Sequence, residues 1–266
     1  GNQTYPHIAL DSSGNLNVVY LSREYTASYD TVAYRKSTNG GLTWGARADV
    51  AIPPNSWAIN PPQIAIDSSN RLHVVYGSWE WDYYLGGANG SYRNVAYRSS
   101  TDGGLTWGAR RDVTTGISVY DNAASIGIDS LNNLYVAYVS TESSGIGRRN
   151  IALRTSTNGG LTWGARRDVT ANTIDSRFPS ISLDSSNNLY VAYESKEYNA
   201  SYLNIALRTS TDGGLTWGAR RDVVAENKLS TYPFLALDSS NNLYVAYYSK
   251  YYHASNYNIA LRTSTN

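Results

Sequence analysis

The sequence predicts an all-β chain built from five copies of one four-stranded unit, and three observations predict it. The octet Ser210-Thr211-Asp212-Gly213-Gly214-Leu215-Thr216-Trp217 recurs at residues 37–44, 100–107 and 156–163, and a fifth copy begins at Ser264-Thr265-Asn266. A second marker, Asp11-Ser12-Ser13-Gly14-Asn15-Leu16, recurs from Asp67, Asp129, Asp184 and Asp238, spaced 54 to 62 residues apart. No segment shows sustained helical periodicity with caps. A fixed period of this length marks an array or radial repeat.

Each repeat reads as four short strands bounded by turn residues. Strand a is the apolar run before the Asp marker, as in Ile181-Ser182-Leu183. Strand b follows the marker, as in Leu189-Tyr190-Val191-Ala192-Tyr193, rich in β-branched and aromatic residues. Strand c is Asn204-Ile205-Ala206-Leu207-Arg208, and strand d is Ala219-Arg220-Arg221-Asp222-Val223. In the a–b turn the Asp carboxylate accepts backbone N–H groups, while Asn or Gly takes the left-handed conformation. Ser-Thr-Asp/Asn-Gly-Gly makes the c–d turn the same way, and its Trp folds back as an apolar plug against the blade. Four antiparallel strands five times over predict a five-bladed β-propeller, one repeat per blade; a β-solenoid is the rival, but the repeat is long for one rung. The expected blades are 5–56, 57–120, 121–176, 177–230 and 231–266, in one domain. The last lacks its outermost strand, because no Gly-Gly-Leu-Thr-Trp follows Asn266.

Composition limits what the chain does. A 41% hydrophobic fraction supports a real core, and a net charge of +1 argues against nucleic-acid binding by phosphate neutralisation. No apolar run is long enough to cross a bilayer. Beginning at Gly1 without any Met, the chain reads as a processed or excised segment. Absent Cys removes disulfides, thiolate zinc and a Cys nucleophile, and His7, His73 and His253 sit at unrelated phases, so no cofactor is expected. With 24 Tyr and 7 Trp against 2 Phe, the chain favours rings that carry a polar edge.

The octet resembles the Asp-box, or BNR repeat, Ser-x-Asp-x-Gly-x-Thr-Trp. Its residues here are Ser37, Asn39 and Trp44; Ser100, Asp102 and Trp107; Ser156, Asn158 and Trp163; Ser210, Asp212 and Trp217. Asn39 and Asn158 replace the family's Asp, and Asn still makes the turn. The resemblance implies a sialidase-like propeller, in which the box is a structural turn remote from the active site. It also implies an extracellular or cell-surface location. Catalytic sialidases carry three arginines, a Tyr–Glu pair and an Asp, with the first Arg in a Phe/Tyr-Arg-Ile-Pro segment. Here the corresponding start is Tyr5-Pro6-His7-Ile8 without an Arg in phase, and Arg177-Phe178-Pro179 is an inexact echo in another repeat.

Strand alternation puts the a–b and c–d turns on one face and the b–c and d–a loops on the other. The first set is nearly uniform between repeats. The second differs throughout: b–c loops 23–30, 79–92, 141–148, 196–202 and 250–257, and d–a loops such as 52–62 and 114–124. Varied loops on a rigid scaffold carry ligand sites. The ring candidates there are Tyr25, Trp57, Trp79, Trp81, Tyr83, Tyr120, Tyr198 and Tyr252, suited to sugar faces or protein partners. Glu24, Glu80, Glu142 and Glu197 follow strand b in four blades. Clustered at the axial mouth they would suit Ca²⁺, but the plainer expectation is solvated or Arg-paired acids. Arg23, Arg148, Arg149 and Arg177 are further residues of this face. The repeated Arg35, Arg98, Arg154, Arg208 and Arg262 are expected to pair across each blade with Asp49, Asp112, Asp168 and Asp222.

The expected function is a non-enzymatic binding or adhesion propeller, lectin-like or protein-recognising, without catalytic residues. A sialidase-like glycoside hydrolase is the alternative, and a repeat scaffold with no specific ligand is a third reading. Partners are a glycan or protein surface, with neither nucleic acid nor membrane insertion. The open edge of strand c, around 258–262, is expected to support weak edge-to-edge homodimers.

Overall fold

The computed structural model describes residues 3–24, 30–51, 56–58, 60–81, 91–114, 122–141, 149–171, 175–196, 202–226, 228–250 and 256–265. Side chains are described for these residues except 56–57, 79–81 and 91–92. Among them the strands form five antiparallel blades. The first is β1 (Gln3–Leu10), β2 (Leu16–Ser22), β3 (Thr31–Ser37) and β4 (Ala48–Ala51). In the second, β5 (Ser56–Ala58) and β6 (Gln63–Ile66) both pair with β7 (Leu72–Trp81), followed by β8 (Ser91–Ser100) and β9 (Arg111–Asp112). The third is β10 (Asn122–Ile128), β11 (Leu134–Ser140), β12 (Asn150–Ser156) and β13 (Arg167–Asp168). The fourth is β14 (Ser176–Leu183), β15 (Leu189–Ser195), β16 (Asn204–Ser210) and β17 (Arg221–Asp222). The last is β18 (Leu229–Leu237), β19 (Leu243–Lys250) and β20 (Asn258–Ser264). The five-bladed propeller with a three-stranded last blade is the architecture the repeats predict. Its outermost strands are shorter than expected, two residues in blades 2 to 4.

The core lies between blades. Val191 and Tyr193 of blade 4 pack with Leu153 and Val139 of blade 3, and the same apolar seam recurs at the 1–2, 2–3 and 4–5 junctions. Strand b is sandwiched, so β11 is buried at all seven positions rather than at alternate ones.

Hydrogen bonds stitch the a–b turns together. Asn187 Oδ1 accepts the N–H of Ser130 at 2.9 Å, and its Nδ2 donates to Ser130 Oγ at 2.9 Å. Asn70, Asn132 and Asn241 make the same reciprocal pair with Ser12, Ser68 and Ser185. These four Asn have φ of 60 to 65°, which Asn tolerates better than most residues. The corresponding residue of blade 1 is Gly14, which has no amide to reach back to blade 5. Facing surfaces there are open: Ile8 and Leu10 of blade 1, and Ile259 and Leu261 of blade 5, are all exposed.

The Asp-box closes the c–d turn through its own polar atoms. Ser210 Oγ accepts the Gly214 N–H at 2.9 Å, and Asp212 Oδ1 accepts the Thr216 N–H at 2.9 Å. Asn39 does the same with Thr43 at 2.9 Å while its Nδ2 donates to Thr43 Oγ1 at 2.7 Å, so the Asn boxes keep the turn. The plug differs from expectation. Trp107 meets Tyr34 edge-on at 5.6 Å and Trp163 meets Tyr97 at 5.5 Å, in both cases a strand-c ring of the preceding blade. The box is therefore a bridge between blades as well as a turn within one.

The expected Arg–Asp pairing is also corrected. Arg47, Arg110, Arg166 and Arg220 bond the Asp two residues on, within the outermost segment. Arg35, Arg154 and Arg208 instead donate Nη1 to the carbonyls of Gly45, Gly164 and Gly218 at 3.0 to 3.1 Å. The planar guanidinium fits the carbonyl left open by the box.

Candidate functional site

On the loop face, strand a enters each blade through an irregularity. Register shifts fall between Thr4 and His7, Asn122 and Ser125, Arg177 and Ser180, and Thr231 and Phe234. At each shift one non-glycine residue has positive φ: Tyr5 (53°), Ala123 (44°), Phe178 (46°) and Tyr232 (52°). Such a bulge re-aims the side chain it carries. Blade 2 has Pro61 in this place, and proline cannot take positive φ; there strand a divides into β5 and β6. Four of the five positions, Pro61, Ala123, Phe178 and Tyr232, converge on a small cavity of about 100 Å³ at the axis.

Rings extend outward from this mouth. Phe178 and Tyr232 lie 4.4 Å apart, Tyr232 and Tyr248 6.1 Å, and Tyr248 and Tyr257 6.3 Å. Lys250 Nζ sits 5.1 Å over the Tyr257 ring. Tyr232, Tyr248 and Tyr257 are about half exposed.

Beside Phe178 lies a cross-strand pair that, among the described residues at this level, stands out by its charge. The cross-strand pair at this level is Thr4 with Leu21 in blade 1, Asn122 with Val139 in blade 3 and Thr231 with Tyr248 in blade 5; in blade 4 it is Arg177 with Glu194. Glu194 is 1% exposed and accepts the Tyr232 N–H at 2.7 Å. Burial pushes its carboxyl up to about 7, against the opposing pull of that N–H and of Arg177 and Arg149, while Asp175 adds to the rise. Burial would raise Asp175 too, but hydrogen bonds from Arg177 and Arg149 outweigh it and hold its carboxyl below the usual value. Arg149 spans both carboxylate oxygens at 2.9 and 3.3 Å, and Arg177 Nη2 reaches Oδ2 at 2.5 Å. Two neighbouring acids are thus driven in opposite directions.

Of the residues expected here, Arg149 and Arg177 converge, while Arg23 is held by Asp30 at 2.8 Å. Glu24 is exposed, accepts Gln3 Nε2 at 2.8 Å and pairs with Arg47, the Arg-paired role. Trp57 opposes Trp79, and Ser56 opposes Glu80, in the β5–β7 backbone register. The side chains of Trp57, Trp79, Trp81 and Glu80 fall outside the description, and so do Tyr25, Tyr83, Tyr120, Glu142, Arg148, Tyr198, Glu197 and Tyr252 altogether. Among the described residues no group of three or more His, Cys, Asp or Glu is placed to hold a metal ion. His7 accepts the Ile64 N–H at 3.2 Å, and burial lowers it to about 4; His73 bonds Tyr97 and Asp67. Both are structural. Phe178, Tyr232, Asp175 and Glu194 were not singled out from sequence. The signal for Glu194 is a carboxylate in a column otherwise reading Leu21, Gly77, Val139 and Tyr248.

Fold and box together define an Asp-box propeller. The chain belongs to the BNR repeat-like domain family, whose pattern it matches over residues 14–264. No curated protein matches it by sequence. Its fold is similar to that of a protein of unknown function from Dyadobacter fermentans, with 15% identity, a TM-score of 0.74, and coverage of 98% of this chain and 78% of that one. It is also similar to the α-L-arabinofuranosidase Arb93A of Fusarium graminearum, at 16% identity and a TM-score of 0.67, covering 97% and 80%. The intramolecular trans-sialidase of Ruminococcus gnavus gives 13% identity and a TM-score of 0.66, covering 100% and 85%. These likenesses establish a sialidase-like fold.

Proposed function

We propose that the chain is a non-enzymatic binding propeller, acting outside the cell or at its surface, that recognises carbohydrate through the rings at the axial mouth. The observation that carries this reading is the run Phe178, Tyr232, Tyr248 and Tyr257, a partly buried ring followed by three half-exposed ones, the first two set beside the axis by a strained backbone. Sugar-acting proteins among its structural neighbours support the ligand class. A glycan array tests it with wild type against Phe178→Ala and Tyr232→Ala. Both variants are compatible with the backbone, because Ala123 holds the same positive φ in blade 3. Selective binding lost in both variants is the expected result; uniformly flat arrays would sink the proposal.

A glycoside hydrolase is the second reading, favoured by the opposed shifts of Glu194 and Asp175, a pattern that separates proton donor from charged partner. Two features weigh against it. Glu194 is nearly inaccessible, and Asp175 already occupies both Arg149 and Arg177, which leaves neither as a clamp for an anionic sugar. Turnover of fluorogenic sialosides or arabinofuranosides, abolished in Glu194→Gln, would establish this reading instead.

A further inference from the structure

The outer side of the last blade carries a cavity of about 330 Å³, lined by Leu207, Val223, Leu243, Val245, Arg262 and Thr263 among others. Its place in the repeat identifies what it fits. In blade 4 the second glycine of the box, Gly214, lies so close to Leu153 and Leu189 that an added Cβ would meet them at 2.3 and 3.4 Å. Gly104 and Gly160 sit equally tightly on Tyr34 and Tyr97. One repeat on, Leu153 and Leu189 become Leu207 and Leu243, two walls of this cavity. It corresponds, one repeat on, to the place where the box at 210–217 is seated.

The adjoining edge has the same character. Residues 150–156, 204–210 and 258–264 are the identical heptad Asn-Ile-Ala-Leu-Arg-Thr-Ser. In blade 4 this strand takes an outer partner, with Ala206 opposite Asp222, Leu207 opposite Arg221, and N–H bonds from Val223 to Ile205 at 2.9 Å and Gly218 to Thr209 at 2.8 Å. Among the described residues β20 has no outer strand. Arg262, whose counterpart Arg208 donates to Gly218 O, instead reaches Glu226 at 2.8 Å.

We propose that this side of the last blade is an acceptor for a β-hairpin of its own repeat type. The incoming segment supplies Asp/Asn-Gly-Gly-Leu-Thr-Trp, which fills the cavity. Gly-Ala-Arg-Arg-Asp-Val then adds a strand to β20 and draws Arg262 onto the carbonyl of the glycine after Trp. Main-chain pairing gives affinity in such strand addition, and the box gives specificity. Specificity rests on the glycine: any side chain there collides with the leucine wall. The chain's own boxes at 100–107, 156–163 and 210–217 already bridge their blades. Its box at 37–44 continues into β4, which is paired with β3.

A synthetic peptide with the sequence of residues 212–224 tests this on the intact protein. Saturable one-to-one binding is expected, with a raised Tm and hydrogen-exchange protection at 258–264. Peptides carrying Gly214→Val or Trp217→Ala should bind at least tenfold more weakly, and Arg262→Ala in the protein should weaken the parent peptide several-fold. The proposal is overturned by absence of saturable binding, by equal binding of the Gly214→Val peptide, or by protection confined to other strands. None of these results bears on glycan recognition at the mouth.

Discussion

At one end of β15 the turn residue Asn187 holds Ser130 of the preceding blade, and three other junctions do the same with the same residue types. At the other end of that strand Glu194 is buried against Arg177, and none of the other described junctions has a carboxylate there. The first end shows what the repeat must preserve for blades to stack. The second shows where one blade departs from its siblings at a cost in desolvation. Repetition and exception thus occupy opposite ends of the same strand, seven residues apart.

The contrast breaks most visibly at the repeated end. Gly214→Ala forces a Cβ into Leu153 at φ 83° and should lose about 2–4 kcal/mol in urea unfolding, from left-handed strain and overpacking. At the exceptional end, Glu194 gives a stability that depends on pH. Its folded value lies near 7, above the ordinary 4.5, so the folded state holds the proton more tightly. That stabilisation is complete below about 4.5 and is lost as pH rises to 7, on the order of 3 kcal/mol in all. Glu194→Gln should flatten the profile between those limits, and an unchanged slope would assign it to other groups. Asn187→Ala removes two hydrogen bonds and a residue suited to φ 65°, for about 1–2 kcal/mol. Gly14→Asn should change stability by less than about 0.5 kcal/mol, because its Cβ meets nothing within 4 Å. A gain matching the Asn187→Ala loss would show that blades 5 and 1 also stitch. Smallest is self-association through β20, seen as a slight rise of mass with concentration in light scattering and reversed by the 212–224 peptide.

The fold was legible because its determinants are local and repeated. Asp184 and Asn188 close a turn within five residues, and Ser210, Asp212 and Thr216 close another within seven. What spans blades was less so. Nothing within a single repeat says that Trp107 seats on Tyr34 of the preceding blade. Within a blade, residue types alone do not say that Arg208 prefers the Gly218 carbonyl to an Asp. Loop variety singles out the b–c and d–a face as a whole, whereas Phe178 and Tyr232 reach the axis through a backbone bulge that loop composition does not signal. Asp175 carries no local signal, because its partner Arg149 lies just before β12 while Arg177 lies on β14.

The stitches also have a direction. Asn70 reaches back to Ser12, Asn132 to Ser68, Asn187 to Ser130 and Asn241 to Ser185, always from a later residue to an earlier one. On the ribosome, where the chain emerges from its N-terminus and is built residue by residue, each new blade meets a docking surface that already exists and needs nothing still to be synthesised. Gly14, which stands at this place in the first repeat of the sequence, carries no side-chain amide and so takes no part in the series.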